Sequence, residues 1–383
     1  MTEPQNTPEL RFPEFDDEWK DYQLQDVIKV NSGKDYKHLN SGTYPVYGTG
    51  GYMLSVSNYL YENDAIGIGR KGTINKPFLL KGPFWTVDTL FYCTPLNKNN
   101  LYFILSLFKK INWKKYDEST GVPSLSKVTI NKVKCKIPPT LEQIKIGKFF
   151  SKLDRQIELE EEKLELLEEQ KKGYIQKIFS QELRFKDDNG CYYSNWEMKK
   201  LDKIAYYRRG SFPQPYGNKE WYDELNGEPF VQVVDVDKNM KLHEQTKQRI
   251  SDLAKPKSVK GYKGDVVVTL QGSIGRVAIL QYDAYIDRTL LLINSFKIDI
   301  NKNYFKYALY LLFLKEKEKA PGGTIKTITK TVLSNFIISV PSIKEQVKIG
   351  NFLERLDYLI EKQSSKVELL KQRKQGLLQK MFV

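Results

Sequence analysis

The chain has 383 residues, with 61 Lys and Arg against 47 Asp and Glu, for a formal net charge of +14. That length suits two domains of ordinary size, and the cationic excess points to an anionic partner such as nucleic acid. Three scattered cysteines and two histidines supply no disulfide framework, no usual zinc ligand set and little for a histidine-based triad, so no metal is expected.

The opening residues, MTEPQNTPELRF, lack the basic start and apolar core of a secretory signal. The longest apolar runs, residues 101–108 and 308–314, are half the length of a membrane span. A cytoplasmic protein with no membrane contact is expected. Residues 1–140 read as a mixed module of short strands, turns rich in Gly, Asn and Pro, and one apolar helix after Tyr102. Residues 141–181 read as a long helix, because apolar side chains return at steps of four and three: Ile146, Phe150, Leu153, Ile157, Leu164, Leu167, Tyr174 and Ile178. Glu160 and Lys171 interrupt that seam. Residues 182–340 form a second mixed module, with its helix after Tyr304. Residues 341–383 form a second long helix, with the seam Ile349, Leu353, Leu356, Ile360, Val367, Leu370, Leu377 and Met381, interrupted at Gln363 and Lys374. The fold class is α+β, two tandem modules each followed by a coiled-coil helix.

The two halves repeat. A shift of 203 residues lays Pro138, Glu142, Gln143, Ile146 and Gly147 on Pro341, Glu345, Gln346, Ile349 and Gly350, and the register holds without gaps to Phe179 on Phe382. Upstream the likeness weakens. Leu10-Arg11-Phe12 returns as Leu183-Arg184-Phe185, Gly72-Thr73-Ile74 resembles Gly272-Ser273-Ile274, and Val87-Asp88-Thr89-Leu90 resembles residues 286–290 with one insertion. Polar seam residues choose the orientation. Parallel helices would oppose Lys171 to Lys374, whereas an antiparallel pair sets Glu160 against Lys374 and Lys171 against Gln363, with Leu164 facing Leu370 and Leu167 facing Val367. Antiparallel packing within one chain is expected, with the modules at opposite ends; an intermolecular coil is the alternative. The helices carry about +3 of the net charge, which leaves +11 on the modules and tail, where DNA should bind.

With these residues in view, the chain resembles the specificity (S) subunit of Type I restriction-modification systems, the HsdS family. The resemblance rests on the Leu10 to Trp19 opening, its echo from Leu183 to Trp196, and the Pro-x3-Glu-Gln-x2-Ile-Gly helix starts at Pro138 and Pro341. It implies that each module is a target-recognition domain reading half of a split double-stranded DNA site, while the helices act as spacer and platform. It further implies two modification subunits that bind S-adenosylmethionine, and restriction subunits that use ATP and Mg; no cofactor is expected in this chain. No Gly-x4-Gly-Lys-Ser/Thr loop or Asn-Pro-Pro-Phe signature occurs, in keeping with a chain that recognises and does not catalyse.

Base readout needs Arg forks and Asn or Gln amides, while Lys and hydroxyls hold phosphates. The candidates are Lys34, Arg70, Lys71, Ser119, Thr120 and Lys127 in the first module, and Arg208, Arg209, Gln271, Ser273, Arg276, Lys326, Thr327 and Lys330 in the second. Two rivals stand beside this reading: a self-contained nuclease or methyltransferase, and a coiled-coil scaffold that binds DNA without sequence preference.

Overall fold

The computed structural model describes residues 6–319, 328 and 330–383. They form two compact units, Met1–Lys163 with Gln363–Val383, and Leu164–Lys362.

In the first unit, β1 (Lys20–Gln23), α1 (Leu24–Val27) and β2 (Ile28–Ser32) lead to the hairpin β3 (Ser41–Gly48) and β4 (Gly51–Val56). β5 (Ala65–Gly69), β6 (Phe78–Leu80), β7 (Trp85–Thr86) and β8 (Leu90–Pro95) follow. They make two sheets, ordered β2-β8-β5-β6 and β4-β3-β7. Next come α2 (Leu101–Lys110), α3 (Lys127–Lys132), β9 (Lys134–Ile137), which pairs with β1, and α4 (Thr140–Phe179). α2 begins where the Asn100 side chain accepts the Phe103 amide and ends in Lys109 and Lys110, cations that suit a helix C-terminus. Its Phe103, Ile104, Leu107 and Phe108 join Ile66, Ile68 and Phe91 of the sheet in one core.

The second unit contains β10 (Glu197–Lys200), α5 (Leu201–Ile204), β11 (Ala205–Arg209), β12 (Glu228–Val231), β13 (Gln248–Ile250) and β14 (Val259–Gly261). It continues with β15 (Val266–Thr269), β16 (Val277–Ile279), β17 (Ala284–Ile286), β18 (Leu290–Phe296), α6 (Lys302–Lys319), α7 (Lys330–Ser334), β19 (Ile337–Val340) and α8 (Ile343–Lys380). The orders β11-β18-β15-β16 and β10-β19 reproduce the first unit strand for strand. The remaining sheet, β13-β12-β17-β14, has one strand more than its counterpart, but the parallel pair β12–β17 repeats the parallel pair β3–β7. One alignment is corrected. Leu90 N donates to Val87 O and Leu290 N to Asp287 O, both at 3.0 Å, so Val87 matches Asp287 and Asp88 matches Arg288 with no insertion. Turn closure decides correspondence here, because the backbone bond is kept while the side chains changed.

The repeated motifs fasten each long helix to its module. Buried Glu142 receives Arg11 Nε and Nη2, each at 2.8 Å, and buried Glu345 receives Arg184 at 3.3 and 3.0 Å and Trp196 Nε1 at 3.0 Å. Gln143 accepts from Asn100 N at 2.9 Å and donates to Pro138 O at 3.0 Å; Gln346 does the same for Asn301 and Pro341. Gly147 and Gly350 are needed because a Cβ on either would fall 2.4 Å from Oδ1 of Asn100 or Asn301, the residues whose side chains cap α2 and α6.

Inside each unit the helix segments run antiparallel. In the first, Gln363 Nε2 donates to Glu160 O and Oε2 at 2.8 and 2.7 Å, Lys371 meets Glu161 at 2.6 Å, and Lys374 pairs with Asp154. In the second, Lys171 meets Asp357 at 2.5 Å, and Tyr174 stands edge-on to Phe352 at 5.1 Å. The expected partners are thereby replaced: Glu160 faces Gln363 and not Lys374, and Lys171 faces Asp357 and not Gln363. The physical reason is that each seam lysine joins an aspartate already held by a module lysine, Lys109 on Asp154 at 2.8 Å and Lys306 on Asp357 at 3.3 Å. For Lys171 a carboxylate is a better partner than a lone glutamine, and for Lys374 the expected Glu160 is already engaged by Gln363 and by Lys366 at 2.6 Å.

Of the seam residues, Ile146, Phe150, Ile157, Gln363, Val367 and Met381 are buried in the first unit, and Leu153, Glu160, Leu370, Lys374 and Leu377 half-buried. In the second unit Ile178, Ile349 and Leu353 are buried, and Leu164, Leu167, Lys171, Leu356 and Ile360 half-buried. Tyr174 is 38% exposed while its neighbour Ile175 is buried, because near its end α4 leaves the seam and enters a module core. There Phe179 stacks on Tyr304 at 5.5 Å and meets Trp196 at 6.1 Å. Phe382 does likewise in the first unit, against Phe103 at 5.3 Å, Phe150 at 5.9 Å and Trp19 at 6.0 Å. Among the described residues no helix is long and apolar enough to cross a membrane.

Candidate nucleic-acid interface

Three backbone segments meet in each unit on one shared frame. In the first, Gly33 N donates to Leu90 O (3.2 Å), Lys34 N to Thr86 O (2.9 Å), Arg70 N to Thr89 O (2.8 Å) and Ile74 N to Gly72 O (3.0 Å). In the second, Gly210 N donates to Leu290 O (3.0 Å), Ser211 N to Ile286 O (3.1 Å), Leu270 N to Thr289 O (2.8 Å) and Ile274 N to Gly272 O (2.9 Å). Glycine allows the approach: a Cβ would lie 1.9 Å from Val87 O at Gly33 and 2.2 Å from Ile286 O at Gly210. Because backbone bonds hold the frame, its outward side chains are free to differ.

In the first unit this frame presents Lys34, Arg70 and Lys71, all exposed, beside half-buried Lys127. The Arg70 guanidinium and the Lys127 ammonium each lie 6.0 Å from the centre of the Phe91 ring, so an aromatic face holds two cations together. The 117–126 loop runs alongside, with Leu125 N donating to Arg70 O at 2.9 Å and Gly72 N to Pro123 O at 2.8 Å. Asp117 closes this loop. The Ser124 and Ser119 amides hold its carboxylate below the ordinary range. The Ser119 hydroxyl is engaged within the loop, donating to Val122 O at 2.6 Å and Asp117 at 3.0 Å, which ties it to loop shape; Thr120 is exposed.

In the second unit Arg208 and Arg209 project from β11, and Ser273 is exposed beside half-buried Gln271. Arg276 plays another part, its Nη1 donating to Val236 O at 2.9 Å, so its fork braces a loop. Lys326 and Thr327 lie outside the described residues, as does the side chain of Lys330. Sequence reasoning missed a cleft of roughly 760 Å³ whose lining includes Tyr216, Gln232, Lys247, Gln248 and Arg288. These residues come from four separated stretches, and only the aromatic and amide content around positions 216–248 could have signalled it.

Comparison with known proteins decides the family. The chain matches the type I restriction modification DNA specificity domain over residues 16–169 and again over 193–370. It belongs to that family. Two specificity subunits of Methanocaldococcus jannaschii are similar along nearly the whole length. The putative MjaX subunit is 26% identical over 403 residues, covering 99% of this chain and 88% of its own; the MjaVIII subunit is 26% identical over 409 residues, covering 96% and 93%. The fold matches the crystal structure of the type I S subunit from M. genitalium with a TM-score of 0.68 at 15% identity, over 98% of this chain and 99% of that one. A chain from a study of type I complex assembly aligns with a TM-score of 0.55 at 18% identity, over 95% and 97%. A specificity subunit of this family is the DNA-recognition component and carries no catalytic site of its own.

Proposed function

We propose that the chain reads a bipartite duplex target, one half-site per module, and positions modification and restriction subunits that supply the chemistry. Residues 1–140 and 182–340 are the two target-recognition domains, and residues 141–181 and 341–383 the spacer helices. The observation that carries this reading is the shared frame: identical backbone bonds in both units present Lys34, Arg70, Lys71 and Lys127 in one and Arg208, Arg209, Gln271 and Ser273 in the other. One fold with two sets of side chains fits two different half-sites. S-adenosylmethionine belongs to two modification subunits, and ATP and Mg to restriction subunits, in a cytoplasmic complex on double-stranded DNA. Mapping methylated adenines in the host genome with and without this gene tests the reading. A split motif lost with the gene is expected; an unchanged methylation map overturns it. Equal affinity for target and scrambled duplexes at physiological salt would favour the scaffold that binds without sequence preference.

A further inference from the structure

We propose that Arg288 is a guanine-reading residue of the second unit, with the cleft it borders receiving the major-groove edge of that base. The inference rests on the DNA recognition proposed above. Arg288 occupies the frame position held by Asp88 in the first unit, and both side chains are exposed. The turn closes through Leu290 N to Asp287 O and Gly210 N to Leu290 O, each 3.0 Å, so the side chain at 288 is not needed for folding. A cation in one unit and a carboxylate at the same place in the other is what two different half-sites require: an Arg fork suits guanine O6 and N7, and an Asp suits the cytosine amino group.

The guanidinium is also arranged in advance. Its carbon lies 4.9 Å from the centre of the Tyr216 ring, and Tyr216 is fixed by Tyr222, whose hydroxyl donates to Tyr216 O at 2.8 Å, and by Phe212 at 4.9 Å. A ring-stacked fork loses less freedom on binding than a free one. Among the described residues no carboxylate pairs with Arg288, so the fork has its donors available. Beside it Asp287, 2% exposed, gives one oxygen to the Thr289 amide at 2.8 Å and keeps Oδ2 without a partner. Asp287 is among the residues of the same cleft, with Lys247 and Gln248 on its border: an amide and a phosphate-type cation stand around one fork.

The test selects duplexes from a random-sequence pool with the full chain assembled with its modification subunits, comparing wild type with R288Q and R288A. Wild type is expected to select a split motif with a guanine in one half. R288Q is expected to lose that guanine or exchange it for adenine, and R288A to lose it, each with about a 5- to 150-fold fall in discrimination at that position. The other half-site should be unchanged, which also shows that the variants fold. A wild-type motif retained in both variants, or an even loss of affinity at every position, overturns the role of Arg288. Absence of any motif with wild type overturns instead the proposed recognition function.

Discussion

Removing Arg11 tests whether the Leu-Arg-Phe and Glu-Gln motifs are a joint between module and helix. Glu142 is fully buried and its two oxygens take both donors of the Arg11 fork, itself 12% exposed. Arg11→Ala leaves a buried carboxylate without its cation, which costs about 3–5 kcal/mol. Arg11→Met with Glu142→Leu removes both charges and fills similar space, and the pair should come within about 1 kcal/mol of wild type. Arg184→Ala in the second unit should cost less than Arg11→Ala, because Trp196 Nε1 still donates to Glu345 at 3.0 Å. Urea unfolding of the full chain, read by hydrogen exchange on peptides from each unit, measures the local loss with the other unit as internal reference. An Arg11→Ala variant within about 1 kcal/mol of wild type, or a double variant as unstable as the single, would refute the reasoning.

Phe382→Ala empties a site between Trp19, Phe103 and Phe150 and should destabilise the first unit by about 3–5 kcal/mol, visible as lost exchange protection in α2. Asp154 gives a pH dependence: burial pushes its carboxyl up, but Lys109 and Lys374 overcome this and hold it below its usual value of 3.8. A carboxyl depressed by folding stabilises above its unfolded pKa, and that stability is lost as pH falls through the folded pKa. Asp154→Asn should therefore flatten the fall in first-unit stability below about pH 4; equal slopes for the two proteins would count against the cluster. Lys71→Ala should weaken all duplexes alike and reduce the salt slope of binding by about 0.9 if that lysine meets a phosphate.

The duplication, the two long helices and the α+β class were legible because each rests on periodicity or on identities at fixed spacing. Facing partners along the helices were not. A seam pattern shows which face is apolar, but the partner of Lys171 is Asp357, which lies off the seam and is shared with Lys306. Sequence likeness also misplaced one turn, where Asp88 and Asp287 look equivalent but the hydrogen bonds equate Asp88 with Arg288. Among candidate site residues, Arg70, Lys71 and Lys127 come together, while Arg276 is engaged by Val236 O. Residue type announces a possible DNA contact; whether the fork is free depends on loops far off in sequence.

The residues that make the family recognisable are therefore not the ones proposed to read DNA. Arg11, Glu142, Gln143 and Gly147, with Arg184, Glu345, Gln346 and Gly350, are engaged at the joints between helix and module, where Glu142 and Glu345 are fully buried. Changes there disturb a buried charge or a close helix approach and cost several kcal/mol, on the order of 3–5. The turn at 88 and 288 is exposed and closed by backbone bonds, so substitutions there should stay within about 0.5 kcal/mol of neutral for stability. On the proposed reading, a chain built this way can exchange one target for another by altering a few outward side chains, while the buried joints between helix and module stay fixed. The charge reversal between Asp88 and Arg288 on one frame fits such freedom, and it separates the two properties: stability resides in the buried signature, while the specificity proposed for the turns can change without disturbing it.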